Sequence, residues 1–267
     1  MTISVKVEER IRSSLKRFQP ILQSAKTRDI NESDTVTIVV DVLEHIFGFD
    51  KYTEITSEYA IRGTYCDLAI KLEGKLSLLI EVKAVGTDLK DQHIKQATDY
   101  AANEGIEWVI LTNLLDWKIY KVTFGKPIGC EQVEHFNLLN LLPKDKTTIE
   151  LLSLIAKEGL KKSKLEQHHS YKQILNKFTI GAVLLSEDVI WSIRKKLKSL
   201  SLEAKISEDE IKKALINEVI KRDIFDCEKS QIAQKQLLKA EKKILKKITE
   251  SNNATNVNVN NSTNLEN

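Results

Sequence analysis

The chain has 267 residues, 42% of them hydrophobic, and a net charge of only +3. This predicts a soluble globular protein with a sizeable core, built as one large or two small domains. No stretch approaches the roughly 20 apolar residues that span a bilayer, and the polar N-terminus lacks the apolar core of a signal peptide, which excludes a membrane partner. The three cysteines, Cys66, Cys130 and Cys227, are far apart and have no metal-ligand spacing. A reducing compartment explains why none need pair, and a cytoplasmic location is the expectation. Charge is unevenly spread: residues 1–143 hold 17 Lys+Arg against 21 Asp+Glu, and residues 144–250 hold 24 against 16. The C-terminal half is therefore the basic one, able to meet phosphate or simply to present solvated helix faces.

In chain order, Ser4–Gln23 reads as an amphipathic helix with Val7, Ile11, Leu15, Phe18 and Leu22 at three- and four-residue spacing, and Pro20 weakens its last turn. Asn31-Glu32-Ser33-Asp34 is a polar cap with acids in the first turn of a second helix, which Gly48 ends. A strand follows around Glu54–Ile61, then a hairpin of Tyr65–Ile70 and Leu76–Lys83 turning at Glu73-Gly74-Lys75. A helix from about Leu89 to Asn103 and two strands, Trp108–Thr112 and Trp117–Val122, complete a mixed α/β sheet core flanked by helices. Pro143 marks a domain boundary. Beyond it five helices are expected, about 147–158, 165–177, 187–199, 208–221 and 229–249, with a capping box at Ser207 and Glu210. Residues 251–267, rich in asparagine and threonine, are expected to be disordered. The domains are thus 1–143, a sheet domain; 144–250, helical and basic; and 251–267, a tail.

The hairpin carries three charges where charges are expensive. Leu78, Leu79, Ile80 and Val82 describe a strand buried on both faces, so Glu81 and Lys83, which share one face, enter a cleft. A hairpin symmetric about Gly74 sets Asp67 across from Glu81, with Cβ atoms roughly 5 Å apart. Two carboxylates that close repel unless a cation lies between them or one is protonated. With a lysine beside them, a divalent metal site is the economical reading.

Asp67 followed by Glu81-Val82-Lys83 resembles the PD-(D/E)xK nuclease signature, with Tyr65-Cys66 where the name-giving proline would stand. Further segments occur in a matching order: Asn31-Glu32-Ser33-Asp34-Thr35, Gly48-Phe49-Asp50, Asp67-Leu68-Ala69-Ile70, Ile80-Glu81-Val82-Lys83-Ala84, Gln96-Ala97-Thr98-Asp99-Tyr100, and Leu111-Thr112-Asn113 followed by Trp117. Over about residues 28–125 they resemble the N-terminal nuclease domain of type I restriction enzyme R subunits and their stand-alone relatives. The resemblance implies a restriction-endonuclease-like fold and a DNA endonuclease of restriction or defence type. It implies Mg²⁺, with Mn²⁺ as a substitute, on Asp67, Glu81 and the carbonyl of Val82, and Lys83 positioning water or stabilising phosphoryl charge. Glu32 matches the family's additional acid, with Glu44 as a less favoured substitute.

Gln96 and Tyr100 share a helix face; the resemblance implies that the pair borders the active site, with Gln96 in the catalytic set, and orients Lys83 or meets the DNA backbone, and the alternative is a polar face that packs its tyrosine on the sheet edge. Arg62 and Lys71 are candidate phosphate contacts. His168-His169 reads as a surface pair, His93 as solvated, and Trp108 and Trp117 as core. The R subunit's motor has no counterpart, since neither Gly74-Lys75 nor Gly125-Lys126 belongs to a GxxxxGK[ST] loop. DNA is the implied partner; a motor, methylase or specificity subunit and a homodimer are the candidate associations. The alternative is a nuclease-fold nucleic-acid-binding or regulatory module without cleavage.

Overall fold

Six strands in the order β1-β2-β3-β4-β5-β6 form one mixed sheet: β1 (Ile55–Ile61), β2 (Thr64–Leu72), β3 (Lys75–Val82), β4 (Trp108–Thr112), β5 (Asp116–Thr123) and β6 (Gly129–Asn137). A computed structural model of the chain describes residues 3–61, 64–125, 127–200, 205–225 and 227–262, with the side chains of 60, 61, 64, 65, 96, 225, 245 and 247–262 outside that description. The chain divides into two compact units, residues 1–169 and 170–267. Among the described residues no helix is long and apolar enough to cross a membrane.

All strand pairs are antiparallel except β3 and β4, which are parallel and joined by the crossover helix α3 (Asp91–Glu104). A parallel neighbour cannot be reached by a tight turn, so a helix must cross one face of the sheet. Alternation along the central strands then serves two cores. Leu68, Ile70, Leu78, Ile80, Val82, Ile110 and Trp117 lie in the larger one with α1 (Val5–Arg28), α2 (Glu32–His45) and α4 (Lys146–Ser153). Ala69, Leu79, Val109, Leu111 and Tyr120 lie in the smaller one with α3. This is the expected mixed sheet flanked by helices.

Four expectations need correction. Helix α1 continues past Pro20 to Arg28, because its buried stripe of Val7, Ile11, Leu15, Phe18, Leu22 and Ala25 runs through the proline. Burial along that stripe outweighs the ~3 kcal/mol an interior proline costs. Strand β6 was not expected; only Val133 and Phe136 of its residues are buried, so it has no alternation to betray it. The hairpin turn is the two-residue Glu73-Gly74, with φ of 53° and 78°, the sign that a type I′ turn requires at both positions. A bulge at Ile70/Lys71 shifts the ladder by one residue, so Leu68 still faces Ile80 and Asp67 comes opposite Glu81 as symmetry about Gly74 predicts. Finally, the sheet unit extends past Pro143: Ile149, Leu152, Ile155 and Leu165 belong to its main core.

The last stretch of that unit is α5 (Lys157–Lys161) and the start of α6 (Lys164–Ile174). Among the described residues between 170 and 250 the chain is helical as expected, in more pieces: α7 (Lys177–Leu184), α8 (Glu187–Lys198), α9 (Glu208–Ala214) running into a π-helical turn (Leu215–Val219), α10 (Arg222–Phe225) and α11 (Glu228–Ser262), which runs on into the stretch expected to be disordered. The Ser207–Glu210 capping box is present, with Glu210 Oε2 accepting from the Ser207 amide at 2.9 Å. Ile190, Ile211, Leu215 and Ile220 form a small core of their own. The backbone of α11 includes residues 251–262, a stretch whose composition gives it no apolar stripe to bury.

Candidate active site

The carboxyl end of β3 gathers four of the charged residues singled out in the sequence. Because Leu79 faces α3 and Ile80 and Val82 face the other core, Glu81 projects on the α3 side of the sheet, and so does Asp67, two residues before Ala69. Glu81 is only 6% exposed. Asp67 Oδ2 accepts a hydrogen bond from the Val82 amide at 2.7 Å, tying the carboxylate to the backbone of the neighbouring strand. Lys83 donates to Glu81 Oε1 at 2.8 Å, and its Nζ lies 3.7 Å from Glu32 Oε2. Glu32 reaches this point because Asn31 caps α2, its Oδ1 accepting from the Asp34 amide at 2.9 Å, so the helix begins at Glu32.

The electrostatics follow from one lysine among several acids in a dry place. Burial pushes the Asp67 carboxyl above its ordinary value; the Val82 hydrogen bond and Lys83 offset part of this, and Glu32 and Glu58 add to it. Burial likewise raises Glu81, with Lys83 opposing and Asp67 reinforcing. Burial works against the Lys83 ammonium, but its bond to Glu81 and the charges of Glu81, Asp67 and Glu32 prevail and hold its pKa above the ordinary value. Lys83 thus stays cationic at neutral pH, while the carboxylates remain under-compensated. Such a set favours an added cation.

The loop after Lys83 is held by the β4–β5 turn. Lys83 donates its amide to Thr112 O at 2.8 Å, Asn113 Nδ2 donates to Thr87 O at 2.9 Å, and Lys118 Nζ donates to Leu89 O at 2.7 Å. Asn113 Oδ1 also accepts from the amides of Leu115 and Asp116, and Trp117 Nε1 donates to Leu114 O. The Leu111-Thr112-Asn113 segment and Trp117 are therefore architectural: they fix the turn that anchors the end of β3.

The remaining candidates are distributed less neatly. Tyr100 is buried and belongs to the smaller core, which also contains Leu79 and Ala101. Gln96 lies on α3, but its side chain is outside the described residues, as is Arg62 altogether. Glu44 pairs with Lys51 at 3.1 Å and is taken up there. Lys71 lies over the Tyr59 ring at 4.9 Å, and His93 Nδ1 accepts from the Lys90 amide at 3.2 Å at the start of α3. His168 and His169 each meet a glutamate of β6, Glu134 at 2.6 Å and Glu131 at 3.3 Å. Cys66 borders the acids, and burial followed by the charges of Glu81 and Asp67 pushes its thiol up to about 12, which makes it a poor nucleophile at neutral pH.

One acid beside the site escaped the sequence reading. Glu58 stands between Ser57 and Tyr59, which pair with Leu68 and Cys66, so its register position on β1 is opposite Asp67. Its φ of 48° marks a local departure from strand geometry. An acid in an exposed part of a strand has no sequence signal that separates it from a solvated one.

Among the described residues no three His, Cys, Asp or Glu side chains form a ready metal cage. That is compatible with Mg²⁺, which is commonly held by one or two carboxylates together with waters and substrate phosphate. The donor set is of the right kind: hard oxygens on Asp67 and Glu81, each with one oxygen already oriented, by the Val82 amide and by Lys83.

Residues 37–136 match the family model described as the type I restriction enzyme R protein N terminus. Asp67, Glu81, Lys83, Gln96 and Tyr100 fall inside the matched stretch; Glu32 falls just before it, and the helices beyond 137 lie outside. No curated protein and no solved structure gives a significant match to the chain.

Proposed function

Taking residues 37–136 as a domain resembling the restriction enzyme R protein N terminus, we propose that the chain is a metal-dependent DNA endonuclease of restriction or defence type, which hydrolyses phosphodiester bonds at the end of β3. The observation that carries this reading is the dry juxtaposition of Asp67, Glu81 and Lys83, with two carboxyls displaced upward by burial. Asp67, Glu81 and the backbone carbonyl of Val82 would hold Mg²⁺ or Mn²⁺, which when bound supplies Lewis-acid polarisation of the phosphate and a more acidic water.

The chain's own groups do the rest. The Val82 amide fixes Asp67, so this carboxylate needs no reorganisation to receive a cation. Lys83, held on Glu81 and near Glu32, is an ammonium and not a proton acceptor; its part is to orient the attacking water and to stabilise negative charge growing on the phosphoryl oxygens. Glu32 keeps Lys83 from collapsing wholly onto Glu81. Tyr100, a member of the same buried core as Leu79, contributes to the packing behind the strand that carries Glu81. Gln96 remains proposed as a member of the catalytic set, and Arg62 as a DNA-contact or site-orienting residue.

Incubation of supercoiled plasmid with the purified chain and Mg²⁺ or Mn²⁺ tests the proposal. The parent is expected to nick or linearise it, and Asp67→Ala or Lys83→Ala to stop it. Cutting that survives both substitutions removes the site, and binding by all three without cutting by the parent favours the non-cleaving module.

A further inference from the structure

The exposed tryptophan of the helical unit has no place in the chemistry above. Of the three tryptophans, Trp117 is fully buried and Trp108 is 8% exposed, whereas Trp191 is 56% exposed on α8. Helical spacing of four and three places Lys195 and Lys198 on the same stripe as Trp191, and Lys195 Nζ lies 5.3 Å from the indole ring centroid. The opposite side of α8 is already used: Ile190 is buried, and Ile193 and Leu197 pack on the same small core. Arg194 is also committed, donating to Ile206 O at 2.9 Å and lying 3.2 Å from Glu208. What faces solvent is a large aromatic plane with lysines on its C-terminal side, while the helix's acids, Glu187 and Asp188, lie one turn N-terminal of Trp191 on the same side.

We infer that this face of α8 is a contact surface for single-stranded nucleic acid, with a base stacked on Trp191 and neighbouring phosphates met by Lys195 and Lys198. Every base has a π-face, so such a platform grips a strand without choosing a sequence, and lysines follow its phosphates. Charge favours a polyanionic occupant, since residues 170–267 hold 18 Lys+Arg against 13 Asp+Glu. The inference extends the proposed action on DNA to how a strand is held, but it does not need cleavage to be tested.

The full chain, in chelator so that nothing is cut, is titrated with an oligothymidylate of about a dozen nucleotides while intrinsic fluorescence and probe anisotropy are followed. Saturable quenching is expected in the parent and absent in Trp191→Ala, whose two remaining tryptophans are buried. Trp191→Ala weakens binding about tenfold or more, and Trp191→Phe, which keeps a ring, recovers most of it. Lys195→Gln with Lys198→Gln lowers the slope of log affinity against log salt by about 1.4. Unchanged affinity in Trp191→Ala, quenching by duplex as strong as by single strand, or self-association lost in Trp191→Ala without any oligonucleotide binding overturns the inference, the last in favour of a second copy of the chain. A parent that binds here but never cuts with metal overturns only the nuclease reading. A parent that cuts while Trp191→Ala binds normally overturns only this one.

Discussion

Lys121 and Lys83 of the sheet unit are both held among carboxylates, and they differ in what surrounds them. Lys121, 7% exposed, meets Glu107 at 2.8 Å and Glu166 closer still, with its Nζ 4.6 Å from the Trp108 ring centroid. Its two acids are 52% and 45% exposed in their side chains, so their excess charge is solvated, and the group works as a clamp between β5, Glu107 and α6. Lys83 is less buried than Lys121, yet its partner Glu81 is 8% exposed and Asp67 is half-buried beside it. Part of the excess negative charge there, that of Glu81 and half-buried Asp67, is withdrawn from water, while Glu32 stays half exposed. If the proposed site is right, burial of a lysine does not separate a structural cluster from a chemical one, whereas burial of surplus acid does.

The widest separation between the two clusters is expected in activity. Asp67→Ala or Lys83→Ala should lower plasmid cleavage by at least about 100- to 1,000-fold, the size of losing one pre-placed stabiliser of phosphoryl charge or its anchor, with the circular dichroism spectrum unchanged. Lys121→Met should do the reverse, leaving cleavage rates near the parent's while lowering stability by about 1–2 kcal/mol in urea melts, a figure moderated by the exposure of its partners. Cleavage lost in Lys121→Met with its fold intact would make the clamp part of the site.

Smaller effects sharpen the contrast. Gly74→Ala should cost about 1 kcal/mol through its φ of 78° alone, since nothing lies within 4 Å of an added Cβ, and should leave cleavage unaltered if the bulge and the Asp67–Val82 bond hold the register. The smallest is a pH effect. Because the Asp67 carboxyl is raised above its ordinary 3.8, its stabilising contribution is fully present below that value and is lost as pH rises through the folded one. In metal-free urea melts the stability of the parent relative to Asp67→Asn should therefore fall as pH rises from about 3.5 to 7. A rise over that range would mean that the carboxylate is well compensated without metal.

The hairpin was visible in sequence because each of its signals is local: alternation around Glu81, a Glu-Gly turn, and acids placed symmetrically about it. The register came out as expected although the turn is one residue shorter, since the bulge at Ile70/Lys71 restores the offset. The Lys121 clamp was not visible, because its partners lie 14 and 45 residues away and only the fold of β4, β5 and α6 brings them together. Tyr100 shows the same limit from the other side. Its spacing from Gln96 defines a shared helix face, but whether that face looks into a core or a cleft depends on Leu79 and Ala69 across the sheet. Strand β6, with two buried residues, and Glu58, an acid in a distorted stretch of β1, had no periodic signal at all.

The central claim is that Asp67 and Glu81 form a place short of one cation. Calorimetric titration of Mn²⁺ into the parent, Asp67→Asn and Lys121→Met, each with a non-cleavable phosphorothioate duplex present, tests it most directly. Saturable binding is expected in the parent and in Lys121→Met, and its loss in Asp67→Asn. No binding in the parent, or equal binding in Asp67→Asn, would contradict it.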